Sequence, residues 1–312
     1  MKQHLIPNCY LKAWCDPRTP EDQTPYIWRI ARDGSSKKNK APEKSFTATD
    51  RYTIRLPTGE KDLIVENTLA GLENAFVSVR GKIEKRQELT DEDRATLCLF
   101  AAAMQSRTRR AGDHWQKTAQ QLHEMVSSME QQYGTGPTTS RQTGRMVEVA
   151  PQYFVMTMLD VQTPLLYEME MSIFVADDEL GFITSDSPCV WFNPKAHTFP
   201  PFYRSPGLGQ PDIEVTLPLT PSHMLFISHR KHPFYIDVGR HVVDEANRLT
   251  RAHAADEFVS WKGETRPYWF ETGTMPDDAW ENTEAGKKSM RQSAEWEQEL
   301  NEWKKRTKEE ED

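Results

Sequence analysis

The residue types that carry polar chemistry gather in three short stretches of this chain: QHLIPNCYLKAW (3–14), MQSRTRR (104–110) and FITSDSPCVW (182–191). The imidazole of His4 has an ordinary pKa near neutrality, the property a general acid or base needs. The competing reading is a histidine that hydrogen-bonds a carbonyl and ties down the terminus. In the second stretch Gln105 and Arg109 stand one helical turn apart and flank an apolar stripe, with Arg107 on its other side. A guanidinium on a rigid helix grips phosphate or carboxylate bidentately. Alternatively, these arginines lay their stems over the stripe and pair with acids of the preceding helix, such as Glu66 or Glu73. In the third stretch Asp186 lies beside Thr184 and Ser185, between apolar residues. A carboxylate in such a setting needs a partner. It is either a catalytic or metal-holding group with Ser185 as a donor beside it, or a turn residue bonding the backbone two positions on. Asn247 is a helix cap or a buried polar contact.

The familiar site motifs are missing. There is no phosphate-binding G-x-x-x-x-G-K-[ST], no G-x-S-x-G and no H-E-x-x-H. Gly207-Leu208-Gly209 stands in a proline-rich loop, not between a strand and a helix. His223, His229 and His232 have no Cys or carboxylate at a recognised metal-ligand spacing.

These residues must be positioned by elements of two kinds. YIWRIAR (26–32) alternates as a strand and turns at Asp33-Gly34, and the basic KKNKAPEK follows. SFTATDRYTIRL (45–56) has strand composition. Leu63, Leu69, Leu72, Phe76 and Val79 mark a helix over 62–88. Thr90 with Asp93 three residues on is a helix start, and the shared face of Leu97, Phe100, Met104, Ala111 and Trp115 predicts one helix from Asp91 into the 120s. The stretch 130–145 reads as a polar loop, followed by a helix over 146–163 that ends before Pro164. Residues 171–192 read as a hairpin turning near Asp177–Gly181. A long loop with five prolines (193–211) leads to a strand pair over 214–229 and a strand at 234–238. Residues 244–261 read as helical. Strands at both ends with helices between predict an α+β fold: a mixed or antiparallel sheet with a group of helices packed on it. One domain is expected over 1–270, and a charged tail, helical or disordered, over 271–312. On that tail Trp296, Leu300 and Trp303 share a helical face, which packs on the body or recruits a protein partner.

The totals bound the function. A chain of 312 residues, 37% hydrophobic, buries a real core. The net charge of -8 argues against a generally basic nucleic-acid-binding surface, although Arg107, Arg109 and Arg110 form a local basic group. The four cysteines include no C-x-x-C pair and read as reduced thiols. No stretch reaches the ~18 consecutive apolar residues of a membrane span. With no apolar leader segment, the expected compartment is the cytoplasm.

Together, QHLIPNCYL, MQSRT, FITSDSP, LPLTPSHML and EANRLT resemble, in order and spacing, the motifs of the family of unknown function numbered 4238, over about residues 3–260. The resemblance implies that His4, Gln105, Arg107, Ser185, Asp186 and Asn247 belong to one recurring pattern. The family's arginine position falls on Arg107, Arg109 or Arg110. It implies no established activity. The expectation is an enzyme on a phosphorylated or nucleotide-like substrate, a nuclease among the options. In it His4 and Asp186 are catalytic, while Gln105, Arg107, Arg109, Ser185 and Asn247 bind substrate. A divalent metal is an open option. The rival expectation is a non-catalytic binding module whose motif residues knit the fold.

Overall fold

The computed structural model describes residues 2–309 other than 57, 135, 137, 274 and 275, with side chains through residue 304. The chain divides into two compact units, Met1–Val190 with Val215–Glu271, and Trp191–Glu214 with Thr272–Asp312.

The first unit opens with strand β1 (Lys2–His4) and helix α1 (Asn8–Leu11). Tyr10, Leu11 and Trp14 are fully buried. The Tyr10 hydroxyl donates to the Pro218 carbonyl at 2.6 Å and lies 2.6 Å from Thr184 Oγ1. Trp14 Nε1 donates to the Phe182 carbonyl at 3.0 Å. The apolar terminus is therefore docked, with each polar tip satisfied inside.

Strands β2 (Ile27–Ala31) and β3 (Lys37–Lys40) pair across a turn in which Gly34 takes φ 79. The strand expected over 45–56 is cut in two. Strand β4 (Thr47–Thr49) pairs with β1, Asp50 turns left-handed at φ 51, and β5 (Ile54–Arg55) pairs with β6 (Lys61–Asp62).

Helix α2 (Ile64–Glu84) buries Val65, Leu69, Leu72, Phe76, Val79 and Ile83 at three- and four-residue spacing. Helix α3 (Asp91–Ser106) begins at the Thr90/Asp93 capping box, and its Phe100 ring stacks on Phe76 with centroids 3.7 Å apart. The helix does not continue into the 120s. Thr108 accepts a hydrogen bond from Ala111 N at 3.1 Å and starts a new helix, α4 (Arg109–Tyr133). The expected polar loop is likewise replaced: α4 ends at left-handed Gly134, and α5 (Thr138–Glu148) follows. Helix α6 (Ala150–Tyr167) runs through Pro164 and buries Leu166 beyond it. The Trp115 and Phe154 rings stack between α4 and α6 at 4.3 Å.

Strand β7 (Glu170–Ala176) does not form a hairpin with β8 (Thr184–Ser185); the two belong to different sheets. Strand β9 (Val190–Phe192) reaches the end of the first segment of this unit. The expected strand pair appears as β10 (Glu214–Thr220) and β11 (His223–Ser228), and the next strand as β12 (Tyr235–Val238). Residues 244–261 are only half helical: α7 (Arg240–His253) gives way to strand β13 (Glu257–Ser260). One sheet carries the neighbours β12-β7-β11-β10, with β7 parallel to β12 and antiparallel to β11. The other, β3-β2-β13-β8, is antiparallel. The α+β class is thus the one expected. Gly181 sets the path between β7 and β8: it takes φ 59, and a Cβ there would lie 2.2 Å from the Pro221 carbonyl oxygen.

The second unit holds two short 3-10 turns in the proline-rich stretch, an Arg204–Glu281 ion pair at 2.6 Å, and helix α8 (Glu284–Glu309). On α8, Trp296 and Trp303 are mostly exposed.

Candidate functional site

The β1–β4 pairing fixes the first motif. Gln3 is fully buried; its Nε2 donates to Thr53 Oγ1 at 3.0 Å, and its Oε1 accepts from Tyr52 N at 2.7 Å. His4 Nε2 donates to the Glu43 carbonyl at 3.1 Å. That bond is the one the anchoring alternative expects.

The break between α3 and α4 turns Arg107 inward. It is buried, donates from Nη1 to Glu73 Oε1 at 2.8 Å and from Nη2 to the His4 carbonyl at 2.6 Å, and lies over the Tyr52 ring. Burial opposes its charge, but Tyr52 and Glu73 outweigh that, and its pKa rises. Gln105, two residues earlier, is half-buried near the end of α3. Arg109 and Arg110, just past the break, are exposed.

Asp186 does not bond two residues on. It reaches across to the α7–β13 connection and accepts from Ala255 N at 2.7 Å, Asp256 N at 2.7 Å and Glu257 N at 3.0 Å. Burial pushes its pKa up, against the pull of those three N–H groups. Ser185 is buried, and its Oγ accepts from Ser187 N at 3.1 Å. Asn247 is also buried: its Oδ1 accepts from Ile183 N and its Nδ2 donates to the Gly181 carbonyl, both at 2.9 Å. It is a buried polar contact, not a cap.

Of the expected site residues, Arg109 and Asp186 line one cleft of about 540 Å³, a size suited to a small ligand. His4, Gln105, Arg107, Ser185 and Asn247 are not among its lining residues. The cleft's cations are Arg29, Lys40, Lys44, Arg109 and Arg110. Arg29 is spoken for: its Nε donates to Glu257 Oε2 at 2.7 Å, and its guanidinium lies over the Phe46 ring at 4.4 Å. Lys38 also pairs with Glu257, at 2.6 Å. Lys40, Lys44, Arg109 and Arg110 pair with no carboxylate among the described residues. Arg109 and Arg110 occupy the first turn of a 25-residue helix that has no acid in that turn. Cations there oppose the helix dipole, and the turn's unbonded N–H groups favour an anion. Phe46, also on the cleft wall, holds a left-handed backbone at φ 50, a conformation costly for an aromatic residue.

At the end of α7 stands a histidine outside the three polar stretches. His253 Nδ1 donates to the Leu249 carbonyl at 3.0 Å, which leaves Nε2 as the acceptor. Burial lowers its pKa, and the positive charges of Arg110 and Arg32 act in the same direction. The basic KKNKAPEK run was the sequence signal for Lys40 and Lys44; nothing local tied it to residues 109–110 or 253–257.

The four cysteines are free thiols, and burial pushes Cys9 up to about 11 and Cys98 up to about 12. Among the described residues no three His, Cys, Asp or Glu side chains cluster as metal ligands. None of the described helices is long and apolar enough to cross a membrane.

An α+β protein with a basic cleft at a helix start is the class that fold and site define. The chain belongs to the family described as protein of unknown function (DUF4238), whose model matches residues 2–262. No curated protein and no solved structure matches it.

Proposed function

We propose that the cleft binds a phosphate-bearing, nucleotide-like ligand and that the protein is an enzyme acting on it. The observation that carries this reading is the set of four cations, Lys40, Lys44, Arg109 and Arg110, that line one cleft and pair with no carboxylate among the described residues. Two of them stand at a helix start against its dipole. Arg109 and Arg110 grip the phosphate, aided by the N–H groups of the first turn of α4, and Lys40, at the end of β3, and Lys44, in the 3-10 turn that follows it, add positive charge. Asp186 orders the 255–257 segment that forms one wall. For a hydrolytic step the base we propose is His253, through Nε2: like His4 it is not among the residues lining the cleft, but it feels the charge of the lining residue Arg110.

The test is calorimetric titration of the full chain with inorganic phosphate and with nucleoside mono- and diphosphates, alongside release of product. Binding in wild type, and binding weakened at least tenfold in the Arg109→Ala/Arg110→Ala double variant with Tm retained, is the expected result. Wild type that takes up none of these ligands at low salt would overturn the reading.

A second reading is favoured by the partners of the motif residues. Gln3, His4, Arg107, Asp186 and Asn247 all bond main-chain groups. On that reading the motifs knit the fold and the cleft binds without turnover. Binding with no product from any ligand, and equal binding by His253→Gln, would select it.

A further inference from the structure

The basic cleft has a neighbour. A second depression, of about 400 Å³, adjoins it across Ala31, Ala255 and Asp256, which line both. Arg32 and Arg251 line this second depression. Arg32 is exposed. Arg251 donates to the Trp269 carbonyl through Nε and to the Arg32 carbonyl through Nη1 at 3.3 Å. Neither arginine pairs with a carboxylate among the described residues. Arg110 of the first depression and Arg32 of the second both act to lower the pKa of His253.

Resting on the phosphate-binding reading above, we infer that the two adjoining depressions together form a track for a single polynucleotide strand, with successive phosphates held by the 40/44/109/110 group and by Arg32 and Arg251. A mononucleotide needs only one of these groups. Two cationic recesses joined by a rim match a repeating anion. Asp256 stands at the rim, where it repels a phosphate and accepts from a sugar hydroxyl or a base amino group. Asp33 in the second depression accepts from Ser35 N at 2.9 Å and is turned to its own loop. The concavity favours a flexible strand over a duplex, whose phosphates lie on a stiff convex surface. The exposed lysines of β3 also protect a sheet edge from pairing, which is their ordinary role. That role does not account for Lys44, Arg109, Arg110 or Arg32, which are not on the edge strand.

The test is fluorescence anisotropy of the full chain with a twelve-residue oligouridylate and oligothymidylate, with uridine monophosphate, with a duplex of equal length and with polyglutamate as competitor. One or both oligonucleotides are expected to bind at least tenfold more tightly than the monophosphate, with affinity falling steeply with salt. Arg32→Ala is expected to weaken oligonucleotide binding about fivefold more than monophosphate binding, and to reduce the log–log salt slope by about 0.7. Its exposed side chain makes loss of folding a minor concern, and a Tm measurement checks that. The RNA and DNA arms tell which strand is preferred. Equal affinity for monophosphate and oligonucleotide, or tighter binding of duplex, or full displacement by polyglutamate would overturn the track. The monophosphate result decides the phosphate-binding reading separately: if the strand fails while the monophosphate binds, only the track falls. If neither binds, both do.

Discussion

Arg107 donates a 2.6 Å hydrogen bond to the main-chain carbonyl of His4, joining the helix break to the first strand. One residue expected to be catalytic and one expected to bind substrate thus meet, but through a backbone atom. The guanidinium is then held by Glu73 and covered by Tyr52, and the Tyr52 hydroxyl donates back to the Arg107 carbonyl at 2.8 Å. This closed set of contacts fixes the turn after which Arg109 and Arg110 emerge toward the cleft.

Removing that pin is expected to destabilise the whole first unit. Arg107→Ala leaves Glu73 without its buried partner and the His4 carbonyl unbonded, a loss of about 3–5 kcal/mol. Arg107→Lys keeps the charge but not the fork, and should fall between the two. Urea unfolding midpoints check this, and a midpoint for Arg107→Ala equal to wild type would remove the structural role.

Asp186 is expected to matter to stability in the same way. Asp186→Asn replaces one accepting oxygen by an NH2 group and leaves at least one of the three main-chain donors unbonded, at a cost of about 1–3 kcal/mol. Its pH dependence has a definite sign. The folded pKa is raised above the ordinary 3.8, so between that value and the folded one the native state holds more protons than the unfolded state. Stability from this group therefore falls as pH rises through that window. The wild-type minus Asp186→Asn difference in unfolding midpoint, followed from pH 3 upward, should show that fall.

The cations at the start of α4 are expected to behave oppositely to the pins. Arg109→Ala/Arg110→Ala should leave Tm unchanged or higher, since it relieves two charges set against the helix dipole, while phosphate binding drops at least tenfold. Loss of Tm together with binding would mean the pair holds the fold and not a ligand.

How much of this was legible in the sequence depended on how local each signal was. The Thr90/Asp93 capping box spans three residues and was visible. So were the β2–β3 turn and the β10–β11 pair. The helix break at Arg107-Thr108 was hidden because Ala111 and Trp115 continue the apolar face of Leu97, Phe100 and Met104 in register. Only a capping threonine marks the stop. The supposed hairpin of 171–192 failed because β8 pairs with β13, and the deciding contacts come from Pro221 and Asn247, far along the chain. The candidate cleft draws on residues 29, 40–46, 109–110, 186 and 255–257, so no single window contained it. Asp186 was picked out correctly as a carboxylate needing a partner, but the partner lay about seventy residues away.

Asn247 is a motif residue for which we predict a consequence for the fold and none for the ligand. It bridges Ile183 N and the Gly181 carbonyl from inside the core. Asn247→Ala leaves both unpaired and should cost about 2–4 kcal/mol. Its melting transition should fall well below that of wild type while phosphate affinity, measured below that transition, stays within twofold. A selective loss of affinity would instead assign Asn247 to the ligand.

His253 gives a prediction in which stability and chemistry share one titration. Its folded pKa lies below the ordinary 6.5, so the native imidazole stays neutral while the unfolded one begins to take a proton. As pH falls from 6.5 toward the folded pKa, the unfolded state binds more protons and stability declines; above 6.5 the contribution is flat. His223 is buried and lowered likewise, but it is present in both proteins, so the wild-type minus His253→Gln difference isolates the one group. That difference should slope over the window just below pH 6.5 and vanish above it. If His253 is also the base, turnover in wild type should hold its plateau below pH 6.5 and fall only at the lowered pKa, while His253→Gln loses at least a hundredfold at every pH. A sloping stability difference with unchanged turnover would leave His253 as a buried neutral histidine with no part in the chemistry.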